Sequence, residues 1–382
     1  MAVPIDITFL GTGSAQPSAT RNHQAIAFRA NGDIWLFDAG EATQHQIQKS
    51  ALKMGRITKV FITHMHGDHC FGLAPLLCSM TENMNANRVD NDSVVDIYGP
   101  SPLRRWLRTT LLSTYSRLGR KYRVHELLMD ESERDIETSS LHPDEDANGK
   151  DIILSKTSGD GYYRLPEISD GWSVLAAPIK HSIPSLGFVI QEPDLPGKLD
   201  QATLTPLIQR NAEALRQERG FKNPLQILGE LKKSIEPIQL PDGTILYPPE
   251  TRQGRQIVIL GDTCDATSML PLLERSPDVL VHEATNALTS LDPPGTTYQD
   301  VLERTLSHGH STPQMAATLA RDMGAKTLLM THFSVRYKGN EEGFPVMEEI
   351  RKQAIQVLGQ DRESDVYCAR DFWSFDVNIK NS

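Results

Sequence analysis

The chain has 382 residues, 39% of them hydrophobic, with a formal net charge of −10 at pH 7. That length supports a full core and allows more than one domain, and the acidic balance excludes a uniformly basic nucleic-acid coat, so any such contact must rest on local positive patches. Four scattered cysteines without a Cys-x-x-Cys pair argue against a disulfide framework and for a reducing compartment. No apolar run reaches the length of a membrane span, and the N-terminus lacks a signal-peptide pattern. The expectation is a soluble protein with no membrane partner, cytoplasmic or also nuclear.

In chain order, residues 5–10 read as a strand ending in Gly11-Thr12-Gly13-Ser14. This is not a dinucleotide fingerprint, because no third glycine follows and Pro17 stands where a helix should open. Residues 25–29 and 34–37 form a hairpin signal around Asn31-Gly32-Asp33. A helix is expected through Gln44 and Gln48, a buried strand at Val60-Phe61-Ile62-Thr63 and a helix over 71–80. A strand over 94–98, a helix over 102–116 and a strand over 122–128 follow. Residues 130–161, rich in Asp, Glu, Ser and Gly, read as a long exposed acidic excursion. Strands return at 172–178 and 186–191. Residues 193–253 then break the rhythm as a second insertion, with a polar helix over 205–219. Strands at 257–261, 279–281 and 328–330 alternate with helices at 313–321 and 346–356, so the predicted core is α/β, one domain over 1–382 with two insertions. The basic stretches from Arg104 to Arg123 and from Arg210 to Lys233 each read either as a solvated helix face or as a phosphate-binding patch.

The densest chemical signal is Thr63-His64-Met65-His66-Gly67-Asp68-His69, directly after an apolar strand. Imidazole and carboxylate are the donors that hold zinc and similar divalent ions. The spacing His-x-His-x-Asp-His is too crowded for one tetrahedral ion and suits two, one on His64 and His66, the other on Asp68 and His69. Three further donors stand at predicted strand ends: His181, Asp262 and His332. Together they make seven ligands, enough for two ions if Asp262 bridges them. Such a donor set accepts zinc, and manganese or cobalt as well. His310, in the Gly-containing loop Ser307-His308-Gly309-His310-Ser311-Thr312, is a candidate proton donor, with Thr312 capping the next helix.

These residues resemble the metallo-β-lactamase superfamily and, within it, the short form of the RNase Z family of tRNA 3′-processing endoribonucleases. The narrower resemblance rests on Phe9-Leu10-Gly11-Thr12-Gly13 with Arg21-Asn22, and on Phe37-Asp38-Ala39-Gly40-Glu41-Ala42-Thr43-Gln44. It rests further on Pro178-Ile179-Lys180-His181, His282-Glu283-Ala284-Thr285, His310-Ser311-Thr312 and Thr331-His332-Phe333-Ser334 followed by Arg336-Tyr337. The resemblance implies an αβ/βα sandwich, two zinc ions per chain, a homodimer and precursor tRNA as substrate. It implies catalytic roles for Asp68, on the attacking water, and for His310 held by Glu283, on the departing 3′ oxygen. Lys180, Ser311 and Arg336 would contact the substrate near the cut. The family's flexible tRNA-binding arm should lie within 193–253, where Lys222, Lys232 and Lys233 are its candidate contacts; its Gly-Pro element is replaced here by Gly220-Phe221-Lys222-Asn223-Pro224. The alternative reading is a hydrolase of the same fold acting on a small phosphodiester or thioester.

Overall fold

The computed structural model describes residues 4–80, 94–134, 140–155, 161–166, 168, 171–194 and 197–378. Among them are two large sheets. The first has eight strands in the order Ser374–Asp376, Ile5–Gly11, Ala25–Ala30, Asp33–Phe37, Ile57–Phe61, Val95–Pro100, Tyr122–Leu128 and Asp151–Ile153. Its pairing is antiparallel as far as Asp33–Phe37 and parallel beyond. The second has seven, in the order Val366–Cys368, Leu328–Thr331, Val279–Glu283, Gln256–Leu260, Ser185–Gln191, Ser173–Ile179 and Tyr163–Arg164. There the strands up to Gln256–Leu260 are parallel and the rest antiparallel.

Successive side chains of a strand point to opposite faces, and here both faces are apolar. From Gln256–Leu260, Ile257 and Ile259 enter the core between the sheets, while Val258 and Leu260 face helices Pro313–Asp322 and Phe344–Leu358. From Ala25–Ala30, Ile26 and Phe28 face the same central core, while Ala25 and Ala27 face helices Thr43–Lys49, Leu73–Ser79 and Leu103–Ser113. Phe37, Phe61 and Tyr98 stack across three neighbouring strands at 4.6 and 5.2 Å, and Phe188 of the other sheet meets Phe61 edge-on at 5.4 Å. The result is helix, sheet, sheet, helix: the αβ/βα sandwich.

Several local expectations shift. The strand before the histidine loop is Ile57–Phe61. Ile62 still donates its N–H to Tyr98 O at 2.7 Å, and at Thr63 the chain leaves the ladder, with the Thr63 N–H donating to Asp38 Oδ1. Strands Val366–Cys368 and Ser374–Asp376 and helix Tyr298–Ser307 lie outside the predicted elements, although that helix opens with a full capping box, Thr297 with Asp300. Most of the acidic excursion lies within the described residues; 135–139 and 156–160 do not. It is less exposed than its composition suggests. Asp151–Ile153 extends the first sheet, His142 is buried, and Glu145 takes a bidentate grip from Arg108 at 2.8 and 2.8 Å. Arg104 likewise pairs with Asp151 and Arg123 with Asp96. These arginines of the first basic stretch are therefore matched by carboxylates inside the fold.

Residues Glu192–Arg255 form a second compact unit. It holds helices Gln201–Arg210, Ala212–Arg219 and Ile227–Leu231, and a hairpin of Ile238–Gln239 with Ile245–Leu246. The expected single helix breaks at Asn211, whose side chain is engaged by Leu207 O and Asp242 N–H. A small core of Ile208, Leu215, Ile227, Leu231, Leu240 and Leu246 holds the unit together. Its two ends are joined by the Arg255 guanidinium on Glu192, with both contacts at 2.7 Å.

Candidate metal centre and catalytic cleft

Strand ends of both sheets deliver the donors. The loop after Ile57–Phe61 brings His64, His66, Asp68 and His69. His181 follows Ser173–Ile179, Asp262 follows Gln256–Leu260, and His332 follows Leu328–Thr331. Asp38 and His332 sit in the left-handed region, φ 61° and 55°, a conformation that costs a non-glycine residue energy and that the surrounding contacts must hold. Gly40 is required by close approach: a Cβ there would come within 2.2 Å of Asp68 O.

Two clusters of the expected donors result, and a third, overlapping group joins Asp262 and His332 to His310. His64 Nε2 lies 3.1 Å from His66 Nδ1, and His181 Nε2 lies 3.3 Å from the same atom, with Asp262 completing the set. His69 Nε2 lies 3.1 Å from His332 Nε2, which is 3.4 Å from Asp68 Oδ2. Asp262 belongs to both neighbourhoods, at 3.7 Å from His64 and 3.4 Å from His69. Donors at about 2.0–2.1 Å from a tetrahedral zinc are spaced about 3.3–3.4 Å apart. The nitrogen spacings here match the edge of such a tetrahedron, so the residues fit the metal.

The remaining ring nitrogens are tied down as metal ligands require. His69 Nδ1–H donates to Asp38 Oδ2 at 2.7 Å, and His181 Nδ1–H donates to Gly309 O at 2.7 Å, which turns each Nε2 toward the site. Gly309 has φ +77°, and a Cβ there would stand 2.8 Å from His181 Nδ1. Burial, with the neighbouring imidazoles, holds His64 well below the ordinary histidine range, and burial beside His181 lowers His66 as well. Both are therefore neutral donors.

His310 Nδ1 lies 3.0 Å from Glu283 Oε1. Burial opposes the imidazolium, but the Glu283 carboxylate prevails and lifts His310 to about 9. Glu283 is 1% exposed and is filled by donors: Thr263 N–H at 2.7 Å, Ser311 N–H at 3.0 Å and the Thr285 hydroxyl. A cleft of about 710 Å³ opens beside these groups, lined by His66, Asp68, His181, Asp262 and His310 together with Ser14, His23, Glu41, Phe71 and His308.

The substrate-contact expectations fare differently. Ser311 is 1% exposed and donates its hydroxyl to Thr263 O at 2.6 Å, so it shapes the site from behind. Arg336 is taken by Asp292 in two contacts of 2.8 Å and does not line the cleft. Lys180 is exposed, and its carbonyl holds Thr263 and Cys264, but it too is outside the cleft lining. Lys222, Lys232 and Lys233 are exposed on the Glu192–Arg255 unit. Sequence reasoning missed Asp38 and Thr285 as supports of His69 and Glu283, and Phe71, 61% exposed at the cleft. Asp38 and Thr285 stand in motifs already singled out, each at a strand end; Phe71 carries no local signal.

The fold and the paired donor clusters define a metallo-β-lactamase-type metal hydrolase. A family model described as the anti-Pycsar protein Apyc1 matches residues 5–123. Over nearly the whole chain the similarity is to zinc phosphodiesterase ELAC protein 1: 37% identity to the Bos taurus and Homo sapiens proteins, covering 98% of this chain and 99% of each relative. Ribonuclease Z of Microcystis aeruginosa is 36% identical over 87% of this chain and 86% of its own. The crystal structure of the short form of human tRNase Z matches with a TM-score of 0.62 and 31% identity, over 98% of this chain and 100% of that one. The chain belongs to the ribonuclease Z family of zinc phosphodiesterases.

Proposed function

We propose that this chain is an endoribonuclease that removes the 3′ trailer from precursor tRNA and leaves a 3′ hydroxyl on the tRNA. Its relatives are named ribonuclease Z, zinc phosphodiesterase and tRNase Z. The observation that carries the reading is the His310–Glu283 pair, its carboxylate buried, set beside a cleft lined by His66, Asp68, His181 and Asp262 of the seven metal donors. A metal scaffold without chemistry has no use for such a pair.

One zinc ion would be held by His64, His66 and His181, a second by Asp68, His69 and His332, with Asp262 shared between them. When bound, the pair supplies Lewis acidity toward a phosphoryl oxygen and lowers the pKa of water. Asp68 is braced by the Ala15 N–H at 2.7 Å, from where its carboxylate orients the attacking water and takes its proton. Water oxygen joins phosphorus as the bond to the 3′ oxygen breaks. His310 carries its proton at neutral pH and delivers it to that departing oxygen. Glu283 keeps the ring aligned and charged. Phe71 offers an exposed aromatic face on which a base next to the cut can stack.

The Glu192–Arg255 unit serves as the tRNA arm in this reading. Arg210 and Arg219 are paired with Asp242 and Glu230, whereas Arg216, Lys222, Lys232 and Lys233 are exposed and, among the described residues, in no such ion pair. In this reading the active assembly is a homodimer that works in the cytoplasm or also in the nucleus. Among the described residues no helix is long and apolar enough to cross a membrane. The decisive experiment incubates purified protein with a trailer-bearing precursor tRNA, with and without a chelator, and maps both product ends. Chelator-sensitive cleavage giving a tRNA 3′ hydroxyl and a trailer 5′ phosphate is expected. Intact RNA beside rapid hydrolysis of a small phosphodiester or a thioester would overturn the assignment.

A further inference from the structure

A second pocket of about 250 Å³ lies away from the cleft lining, walled by residues 264–267, His282, Tyr298 and one face of helix Pro313–Asp322. Its polar chemistry is mostly accepting, with the Tyr298 hydroxyl paired to Thr312 at 3.2 Å. The Ser311 hydroxyl donates to Thr263 O, Thr318 to Gln314 O, and Thr267 to Asp265 Oδ1, each within 2.8 Å. Those protons are committed within the protein, so the oxygens can only accept. His282 is 2% exposed, and its Nδ1–H donates to Glu283 O at 2.8 Å. Its Nε2 therefore bears a lone pair, and among the described residues nothing donates to it. Gln314 gives its Nε2–H to Gln353 Oε1 at 3.0 Å, which leaves its own Oε1 buried and unsatisfied. The buried Gln314 Oε1 is costly unless something supplies a proton, and His282 adds a second acceptor at the pocket wall. The lining adds two carboxylates, Asp265 and Asp322, the latter also contacted by exposed Arg321 at 3.4 Å, and apolar walls from Ala266, Met315 and Leu319.

We propose that this pocket binds a short alkylammonium ion, whose N–H groups donate to His282 Nε2 and Gln314 Oε1 while its stem lies on Ala266, Met315 and Leu319. Water can donate to these acceptors and to the carboxylates, but it brings no positive charge to Asp265 and Asp322 and no stem for the apolar walls. The pocket borders catalytic parts, since Ser311 and His282 both adjoin Glu283.

Cys264 lines the pocket and Cys78 is exposed elsewhere, so alkylation reads occupancy directly and independently of RNA cleavage. Metal-loaded protein is treated with iodoacetamide over a series of n-butylamine concentrations, with n-butanol and butyrate as controls, and peptides are mapped by mass spectrometry. Butylamine should slow Cys264 labelling saturably, by several-fold at the plateau, and leave Cys78 unchanged. Gln314→Met should weaken the half-protecting concentration about ten-fold, the scale of one hydrogen bond to a charged group. Gln314→Glu should tighten it, a direction that a folding defect does not produce. Absence of protection, equal protection by butanol or butyrate, parallel slowing at Cys78, or indifference to both Gln314 variants would overturn the proposal.

Discussion

Glu283→Gln isolates charge from shape at the centre of the proposed mechanism. The wild-type carboxylate receives four donors: Thr263 N–H and His310 Nδ1–H on Oε1, and Ser311 N–H and the Thr285 hydroxyl on Oε2. A carboxylate has about four lone-pair sites, whereas a carboxamide has one accepting oxygen and two donors of its own. The least costly placement keeps oxygen toward Thr263 and His310 and turns NH₂ toward Ser311 and Thr285. The Thr285 hydroxyl can rotate to accept, but the Ser311 amide cannot, so one buried N–H is orphaned at about 1–3 kcal/mol. The variant should fold, with a lower Tm and unchanged metal content. Its His310 loses the anion that keeps it charged, so single-turnover cleavage should fall toward the roughly 10²–10⁴-fold deficit expected for His310→Ala. The double variant is the critical measurement. If Glu283 acts through His310, adding Glu283→Gln to His310→Ala costs little further rate. Multiplying deficits, or a Glu283→Gln enzyme that cuts at the wild-type rate, would refute the positioning role.

Four other outcomes follow from the same structure. Elemental analysis should find two divalent ions per chain, and Asp262→Ala, which removes the shared donor, should lower occupancy of both; a fully active enzyme with one ion would contradict the two-ion reading. Replacing residues 199–234 by a Gly-Ser linker should abolish or strongly weaken precursor tRNA cleavage while a chromogenic phosphodiester is still hydrolysed, because all seven donors lie outside that segment; equal loss of both activities would show that the segment supports the fold. Arg108→Ala leaves Glu145, whose side chain is 3% exposed, with the Tyr122 hydroxyl but no cation, so it should cost about 3–5 kcal/mol in denaturant titration and leave the salt dependence of tRNA binding unchanged; a shallower salt slope would return this stretch to the RNA surface. Phe71→Ala should raise KM for precursor tRNA and leave a small phosphodiester unaffected, and no change in KM would remove the stacking role.

Local chemistry was legible in the sequence because it depends on near neighbours. The histidine loop, the hairpin at Asn31-Gly32-Asp33, strand Tyr122–Leu128 and the Thr312 cap at helix Pro313–Asp322 each rest on residues a few positions apart, where backbone geometry alone sets the spacing. Strand-end placement of His181, Asp262 and His332 was also readable, since an apolar run that stops at a histidine or aspartate announces where a sheet hands over to a site. Partner choice was not. Whether an arginine meets RNA or a carboxylate depends on which chain segment the fold brings opposite, and no local pattern encodes that. Arg108, in a stretch that read equally as a solvated face or a phosphate patch, finds Glu145 thirty-seven positions away, and Arg336, expected near phosphate, finds Asp292 forty-four away. Ser311 had the right motif, but the sheet buries it and spends its hydroxyl on Thr263. Strand Ser374–Asp376 is too short and too exposed to show a period, and it exists because Ile5–Gly11 offers an edge to pair with. Donor types and their order come from the sequence; the tertiary structure decides which charges are left over for a substrate, because desolvation and pairing are settled between segments distant in the chain.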